Sequence, residues 1–105
     1  MAAYILAIDQ GTTGSTVALM DARGRLRASV NHEFPQIYPK PGWVEHRLDD
    51  ILDSVQKGIN SVLRMQVCKP NDIAAIGITN QRETVAIWDR ELSLIHISEP
   101  TRQLT

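Results

Sequence analysis

Asp9-Gln10-Gly11-Thr12-Thr13-Gly14-Ser15 packs one carboxylate, two glycines and three hydroxyls into a single short stretch. Those groups suit a phosphorylated ligand. Glycines let a backbone turn tightly and offer its N–H groups to phosphate oxygens, and hydroxyls add donors. A neighbouring carboxylate can serve Mg²⁺, which keeps most of its waters and borrows one or two carboxylates plus phosphate oxygens. Asp9 is therefore the candidate metal ligand, and Thr12, Thr13 and Gly14, with the Ser15 hydroxyl, are the candidate phosphate contacts. The same residue types also build ordinary surface turns, and this stretch alone does not separate the two. Neither G-x-x-x-x-G-K-[ST] nor a G-x-G-x-x-G opening a helix is present.

A second polar set, Thr79-Asn80-Gln81-Arg82-Glu83-Thr84, follows abruptly on the apolar run Ile73-Ala74-Ala75-Ile76-Gly77-Ile78. An Arg fork beside a carboxylate can hydrogen-bond several hydroxyls of a small polyol, one group donating and the other accepting. Arg82 and Glu83 are the candidate pair, although adjacent opposite charges are also common on solvated surfaces. Arg23, Arg25 and Arg27 alternate along a strand and read as its solvated outer face. Cys68 stands alone, and His32, His46 and His96 are too far apart for metal-ligand spacing.

The elements that must position these groups follow from hydrophobic period. Tyr4 to Ile8 and Thr16 to Met20 are β-prone runs on either side of the first loop, which makes that loop the tip of a hairpin. After the Asp21-Ala22-Arg23-Gly24 turn, Arg25 to Phe34 alternates with Leu26, Ala28 and Val30 on one side, completing a three-stranded antiparallel meander. Pro35, Pro39, Pro41 and Gly42 make residues 36–42 an extended connection, and Trp43 after it reads as a packing anchor.

From Asp49 the period becomes helical, with Leu48, Ile51, Leu52, Val55, Ile59, Val62 and Leu63 on one face. Asp49 or Asp50 serves as the N-terminal cap, and Cys68-Lys69-Pro70-Asn71 ends the run. Gly58 lies inside this helix at a cost of about 1 kcal/mol against Ala. Residues 73–78 read as a strand buried on both faces and parallel to a meander strand, and Val85 to Trp88 as one more strand. Both polar loops then start at the carboxyl ends of strands, where open α/β sheets bind ligands.

With 43% apolar residues and a net charge of -1, the chain has material for a core and no overall pull toward nucleic acid or an anionic membrane. No basic segment leads into a long apolar run, so no signal peptide or spanning helix is expected, and a reducing, cytoplasmic setting fits the single cysteine.

Taken together, Ile8-Asp9-Gln10-Gly11-Thr12-Thr13, the stretch from Gln36 through Pro39-Lys40-Pro41-Gly42-Trp43-Val44-Glu45 to His46, and Ile73 to Thr84 resemble the carbohydrate kinases of actin-like, ribonuclease-H-like fold, and within them the glycerol kinase family. The resemblance covers residues 3 to about 90, and residues 1–90 are read as a portion of that family's first lobe. It implies a partial actin-like ATPase domain, α/β in class, in a parent enzyme that transfers the ATP γ-phosphoryl group to glycerol with Mg²⁺. It further implies that Asp9 serves the Mg²⁺–nucleotide, that Thr12 and Thr13 contact phosphates, and that Arg82 and Glu83 hold glycerol hydroxyls.

The family's general base and adenine-binding lobe lie later in its chain, so no catalytic residue is assigned here, and this chain by itself is expected to be inactive. The parent is expected to be a homo-oligomer. Departures from the family are Gly14 in place of a frequent Ser, Thr16 in place of a frequent Arg, and Arg47-Leu48 in place of a frequent Asp-Pro. Residues 91–105 resemble nothing the family has at that point and look like translated sequencing-adapter read-through, so a non-native tail is expected there. A kinase for another polyol or sugar is the rival reading, although xylulose-type relatives carry a Gly-Gln-Met-His-like run where this chain has Asn80-Gln81-Arg82-Glu83. A non-catalytic, poorly folded fragment is the other.

Overall fold

The computed structural model describes residues 3–80 together with the backbone of two later strands, 85–88 and 94–99. In chain order the elements are β1 (Tyr4–Gln10), β2 (Gly14–Asp21), β3 (Leu26–Glu33), β4 (Val44–Glu45), α1 (Leu48–Arg64), β5 (Ile73–Asn80), β6 (Val85–Trp88) and β7 (Leu94–Glu99), with a 3₁₀ turn at Pro70–Asp72 before β5. The main sheet has the order β3-β2-β1-β5, and a smaller sheet has the order β4-β7-β6. As expected, β1, β2 and β3 form an antiparallel meander, and β5 returns parallel to β1 after the helix.

The meander and helix share one core. Leu6 and Ile8 of β1, Val17 and Leu19 of β2, Ala28 of β3 and Val62 of α1 are buried together, with Val30, Val55 and Ile59 packed against them. The α1 stripe that reaches the sheet is Ser54, Gly58 and Val62, while Leu48 and Leu52 stay exposed, so the buried face is narrower and smaller than its apolar periodicity predicts. Gly58 explains why. A Cβ there would come within 2.5 Å of Val17 Cγ2 and 3.1 Å of Val17 Cβ, so the missing side chain is what lets the helix lie close on β2. The cost anticipated for a glycine in mid-helix is offset by packing.

Several expectations are corrected. The helix begins after Arg47, whose extended backbone makes it the N-cap with no side-chain cap bond. Asp49 and Asp50 therefore fall inside the first turn, where they favour the helix dipole rather than cap it. The helix ends at Arg64, ahead of Cys68, because Gln66 adopts a left-handed φ of 56° and its N–H bonds back to the Leu63 carbonyl.

Leu26 does not share a face with Ala28. Leu19 pairs with Ala28 but Met20 pairs with Leu26, so an extra residue at Arg27 flips the alternation and turns Leu26 out. Residues 36–42 are not a plain extended connection. Ile37 and Glu45 form an antiparallel bridge, with Ile37 N–H to Glu45 O at 2.9 Å and Glu45 N–H to Ile37 O at 2.7 Å, and Gly42 at φ 81° closes the turn between them. Trp43 is 45% exposed with Lys40 Nζ 4.8 Å from its ring, a surface cation–π pair rather than a core anchor. β5, expected to be buried on both faces, is exposed from Ala74 to Asn80, because α1 lies chiefly over β2 and β3 and only Ile73 of β5 packs against the core.

Candidate functional site

Strand register, more than loop composition, assembles the site. Asp9 lies at the carboxyl end of β1, paired with Thr16 on β2 and with Thr79 on the parallel strand β5. All three belong to the sheet face opposite α1, since the alternate residues Ile8 and Val17 fill the core. Beneath them Ala7, Ala18 and Gly77 form a floor of small residues, and the resulting cup has a volume of about 300 Å³. An exposed carboxylate at the carboxyl end of β1 thus stands between Thr79, at the carboxyl end of the parallel strand β5, and Thr16, near the start of the antiparallel strand β2. Thr16 is held by Asn31 across the β2–β3 pair, whose Nδ2 donates to Thr16 Oγ1 at 2.8 Å.

The hairpin tip that follows Asp9 is tight. Gly11 N–H donates to the Gly14 carbonyl at 2.9 Å, leaving Thr12 and Thr13 as the apex. The Thr13 carbonyl accepts from Phe34 N–H at 3.1 Å, and the Thr12 carbonyl from Gln36 Nε2 at 3.0 Å. This alters the role expected of the glycines. Neither Gly11 nor Gly14 has a positive φ, and the Gly11 N–H is consumed within the turn. Gly14 has a packing reason to be glycine: a Cβ would sit 2.9 Å from the His32 carbonyl and 3.1 Å from Glu33 Cα, inside the β2–β3 contact.

Ser15 is a plain correction. It is fully buried and faces the helix, with its Oγ 2.7 Å from Ser54 Oγ. Ser54 Oγ also lies 2.6 Å from the Ile51 carbonyl and has one proton to give, so the Ser15 hydroxyl donates to Ser54 while Ser54 donates to the carbonyl. It is a core residue and does not reach a phosphate.

Arg82 and Glu83 lie outside the described residues; the strand that leads to them ends at Asn80, beside Gln10. The side chains of residues 91–105 are likewise outside the description, and the backbone of 94–99 forms β7 between β4 and β6.

Of the remaining reactive groups, Cys68 is half-buried and burial pushes its thiol up, with Asp72 adding to the effect, which disfavours the nucleophilic thiolate. Asp21 is held below the usual carboxylate range mainly by the Arg25 N–H; burial opposes this, and the Arg23 N–H and the Arg27 guanidinium add to the lowering. Those contacts organise the β2–β3 turn, and the arginine stripe is exposed there as expected. Thr16, Asn31, Thr79, Gln36 and His46 were not singled out as site residues from sequence. Only the strand pairing brings Thr16 and Thr79 beside Asp9 and Asn31 beside Thr16, and only the 36–46 loop brings Gln36 beside Thr12 with His46 behind it.

The family model for the FGGY family of carbohydrate kinases, N-terminal domain, matches residues 4–97. The chain is 53% identical over 90 residues to a glycerol kinase of Caldanaerobacter subterraneus subsp. tengcongensis, covering 86% of this chain and 18% of that protein. It is 56% identical over 87 residues to a glycerol kinase of Limosilactobacillus reuteri, covering 83% and 17% respectively. Among solved structures, a gluconate kinase from Lactobacillus acidophilus superimposes with a TM-score of 0.83 at 30% identity, over 94% of this chain and 20% of that one. Plasmodium falciparum glycerol kinase with ADP superimposes with a TM-score of 0.79 at 32% identity, over 96% and 20%. The chain thus spans about a fifth of the length of the relatives it matches. With the meander, the parallel return of β5 and the Asp9 loop in place, the chain belongs to the FGGY family of carbohydrate kinases, as part of the N-terminal domain.

Proposed function

We propose that this chain supplies half of the phosphate site and half of the acceptor site of a glycerol kinase, an enzyme that moves the ATP γ-phosphoryl group to a terminal hydroxyl of glycerol to give glycerol 3-phosphate. The observation that carries this reading is the exposed Asp9 carboxylate at the carboxyl end of β1, between Thr16 and Thr79 and just ahead of the Thr12–Thr13 tip. One carboxylate so placed suits Mg²⁺ that arrives on a nucleotide and keeps most of its waters. When bound, the ion supplies charge neutralisation to the phosphates. Asp9 would hold it, the Thr12 and Thr13 groups and the Gly14 backbone would orient phosphate oxygens, and Arg82 and Glu83 would fix the glycerol hydroxyls. Phosphoryl transfer depends chiefly on such positioning and charge stabilisation.

The identities to curated glycerol kinases support glycerol over other acceptors, as does the Asn80-Gln81-Arg82-Glu83 run. On this reading the general base comes from sequence beyond this chain, the parent is a cytoplasmic homo-oligomer, and residues 91–105 lie outside the kinase lobe. The matched stretches of 87 and 90 residues favour a boundary near residue 90, whereas the family model runs on to residue 97.

The test joins residues 1–90 to the remainder of the Caldanaerobacter glycerol kinase and assays it with MgATP against glycerol, gluconate and xylulose. Glycerol should be the preferred acceptor. Asp9→Asn should lower turnover by about 100-fold, about 2.7 kcal/mol at the transition state, and Arg82→Ala should mainly raise the glycerol KM. Undiminished turnover with Asp9→Asn, or an unchanged glycerol KM with Arg82→Ala, would remove the corresponding assignment. The 105-residue chain alone should show no turnover.

A further inference from the structure

Gln36 and His46 flank the Ile37–Glu45 bridge and so face each other at the base of the proline-rich loop. The Gln36 side chain turns from that base toward the β1–β2 tip. Its Nε2 lies 3.0 Å from the Thr12 carbonyl and 3.2 Å from the Phe34 carbonyl. Only the NH₂ of an amide can donate to two carbonyls, so the orientation of the group is settled by chemistry and its Oε1 faces the other way. That oxygen lies 2.7 Å from His46 Nε2, which must then carry a proton and donate it. His46 is itself buried, with Phe34 packed edge to face against its ring at 5.1 Å and 88°.

The two carbonyls of the apex are thus tied by different means. Thr13 is tied by a backbone bond from Phe34, and Thr12 by a side chain that His46 holds in register. The Gln36 bond adds to the Gly11–Gly14 and Phe34–Thr13 bonds and acts directly on the central peptide plane of the apex. In a trans peptide the C=O and the following N–H point in opposite directions. Fixing the Thr12 carbonyl toward Gln36 therefore directs the Thr13 N–H away from it, as a donor for an incoming anion requires.

We propose that Gln36 is a positioning residue for the nucleotide phosphates, holding the central peptide of the Thr12–Thr13 tip in its binding orientation, and that His46 orients Gln36. The proposal rests on the reading of that tip as the phosphate-contacting loop. It also accounts for the fold of the 36–46 stretch, since the Ile37–Glu45 bridge sets the two side chains opposite one another.

The test uses three variants, in the 105-residue chain and in the enzyme joined as above. Gln36→Glu keeps the shape but sets a carboxylate against two carbonyls. His46→Gln keeps a donor near the place of Nε2, and His46→Leu removes it. Gln36→Glu and His46→Leu should raise the MgATP KM about tenfold with the glycerol KM unmoved, the size expected from losing a buried hydrogen bond and leaving its partner unsatisfied. His46→Gln should restore near-parental values. In the chain alone, hydrogen exchange at the Gly11 and Phe34 amides should quicken in the first two variants, while the Leu6 and Leu19 amides keep their protection.

Unchanged exchange at the tip in both deleterious variants would overturn the proposal. So would a uniform rise in exchange with both KM values climbing together, which marks general destabilisation. If Gln36→Glu fails to fold, the contrast between His46→Leu and His46→Gln decides by the same readouts. Faster tip exchange with an unaltered MgATP KM would uphold the strut and remove the phosphate role from the tip, so a failure of the functional reading is told apart from a failure of this one.

Discussion

Ser15 shows how the parity of one residue decides its chemistry. It belongs to the hydroxyl-rich loop by sequence, yet Gln10 pairs with it at the start of β2, and its side chain falls on the core face with Val17 and Leu19. Buried there, its hydroxyl needs a partner, and Ser54 of α1 is that partner at 2.7 Å. Ser54→Ala leaves the Ser15 donor unsatisfied and should destabilise the chain by about 1–3 kcal/mol, whereas Ser15→Ala with Ser54→Ala should cost less than the single change, since removing both partners removes the unsatisfied group. Urea unfolding of the two single variants and the double variant measures the difference, and simple additivity would refute the pairing. Asp21 makes a second case. Its carboxylate accepts from the Arg23 and Arg25 N–H groups at 2.9 and 3.0 Å, and its pKa is lowered in the folded chain. A group with a depressed folded pKa contributes stability above its unfolded value, about 3.9 for Asp, and that contribution is lost as pH falls through the folded value. Asp21→Asn, which can still accept both N–H groups, should therefore unfold at lower urea concentration than the parent at pH 6, and the gap should close as the pH is lowered below the ordinary carboxylate range. A gap independent of pH would show that the charge is not what Asp21 contributes.

At the scale of elements, α1 and β2 are matched by what is missing between them. Gly58 has no Cβ because Val17 occupies that space, so Gly58→Ala sets a gain of about 1 kcal/mol in helix propensity against overpacking that costs about 1–3 kcal/mol. The clash at 2.5 Å is with a β-branched side chain held in the core, and overpacking should win. Gly58→Ala is expected to lower the unfolding midpoint and Val17→Ala in the same chain to recover part of it; a stabilised Gly58→Ala chain would place the helix farther from the sheet than described. Gly58 also marks the limit of what was legible beforehand. Hydrophobic period gave the three meander strands, the helix and the parallel return, because period follows from which face is buried. It did not give the bulge at Arg27 that turns Leu26 outward, nor the Ile37–Glu45 bridge, since neither has a periodic trace. The same division holds at the site. Asp9 and the tip threonines stood out by residue type, whereas Thr16 and Thr79 gained meaning only from register, and Gln36 and His46 only from a bridge formed across a loop.

For the whole molecule, the helix covers less of the sheet than the sheet offers. Ile76 and Ile78 pair with Leu6 and Ile8 and so continue the core face onto β5, yet they are 58% and 70% exposed because α1 lies over the other strands. Among the described residues β5 is also an edge of its sheet, so there an apolar surface coincides with the outer row of backbone groups of an edge strand. The run Ile73 to Ile78 has the composition of a strand buried on both faces, and the chain spans only about a fifth of its relatives' length. The composition therefore fits a longer protein in which β5 is an inner strand. The 105-residue chain should in consequence self-associate with rising concentration and bind an apolar dye such as ANS. Replacing Ile76 and Ile78 together by Lys should suppress both effects. Because full burial of an Ile is worth about 1.5–3 kcal/mol and these two are mostly exposed, the double change should lower stability by less than about 1 kcal/mol. Sedimentation velocity, dye fluorescence and urea unfolding on the parent and the double variant provide the measurements. A parent chain that stays monomeric and dye-free, or a double variant that loses several kcal/mol, would mean that the β5 face is covered in solution.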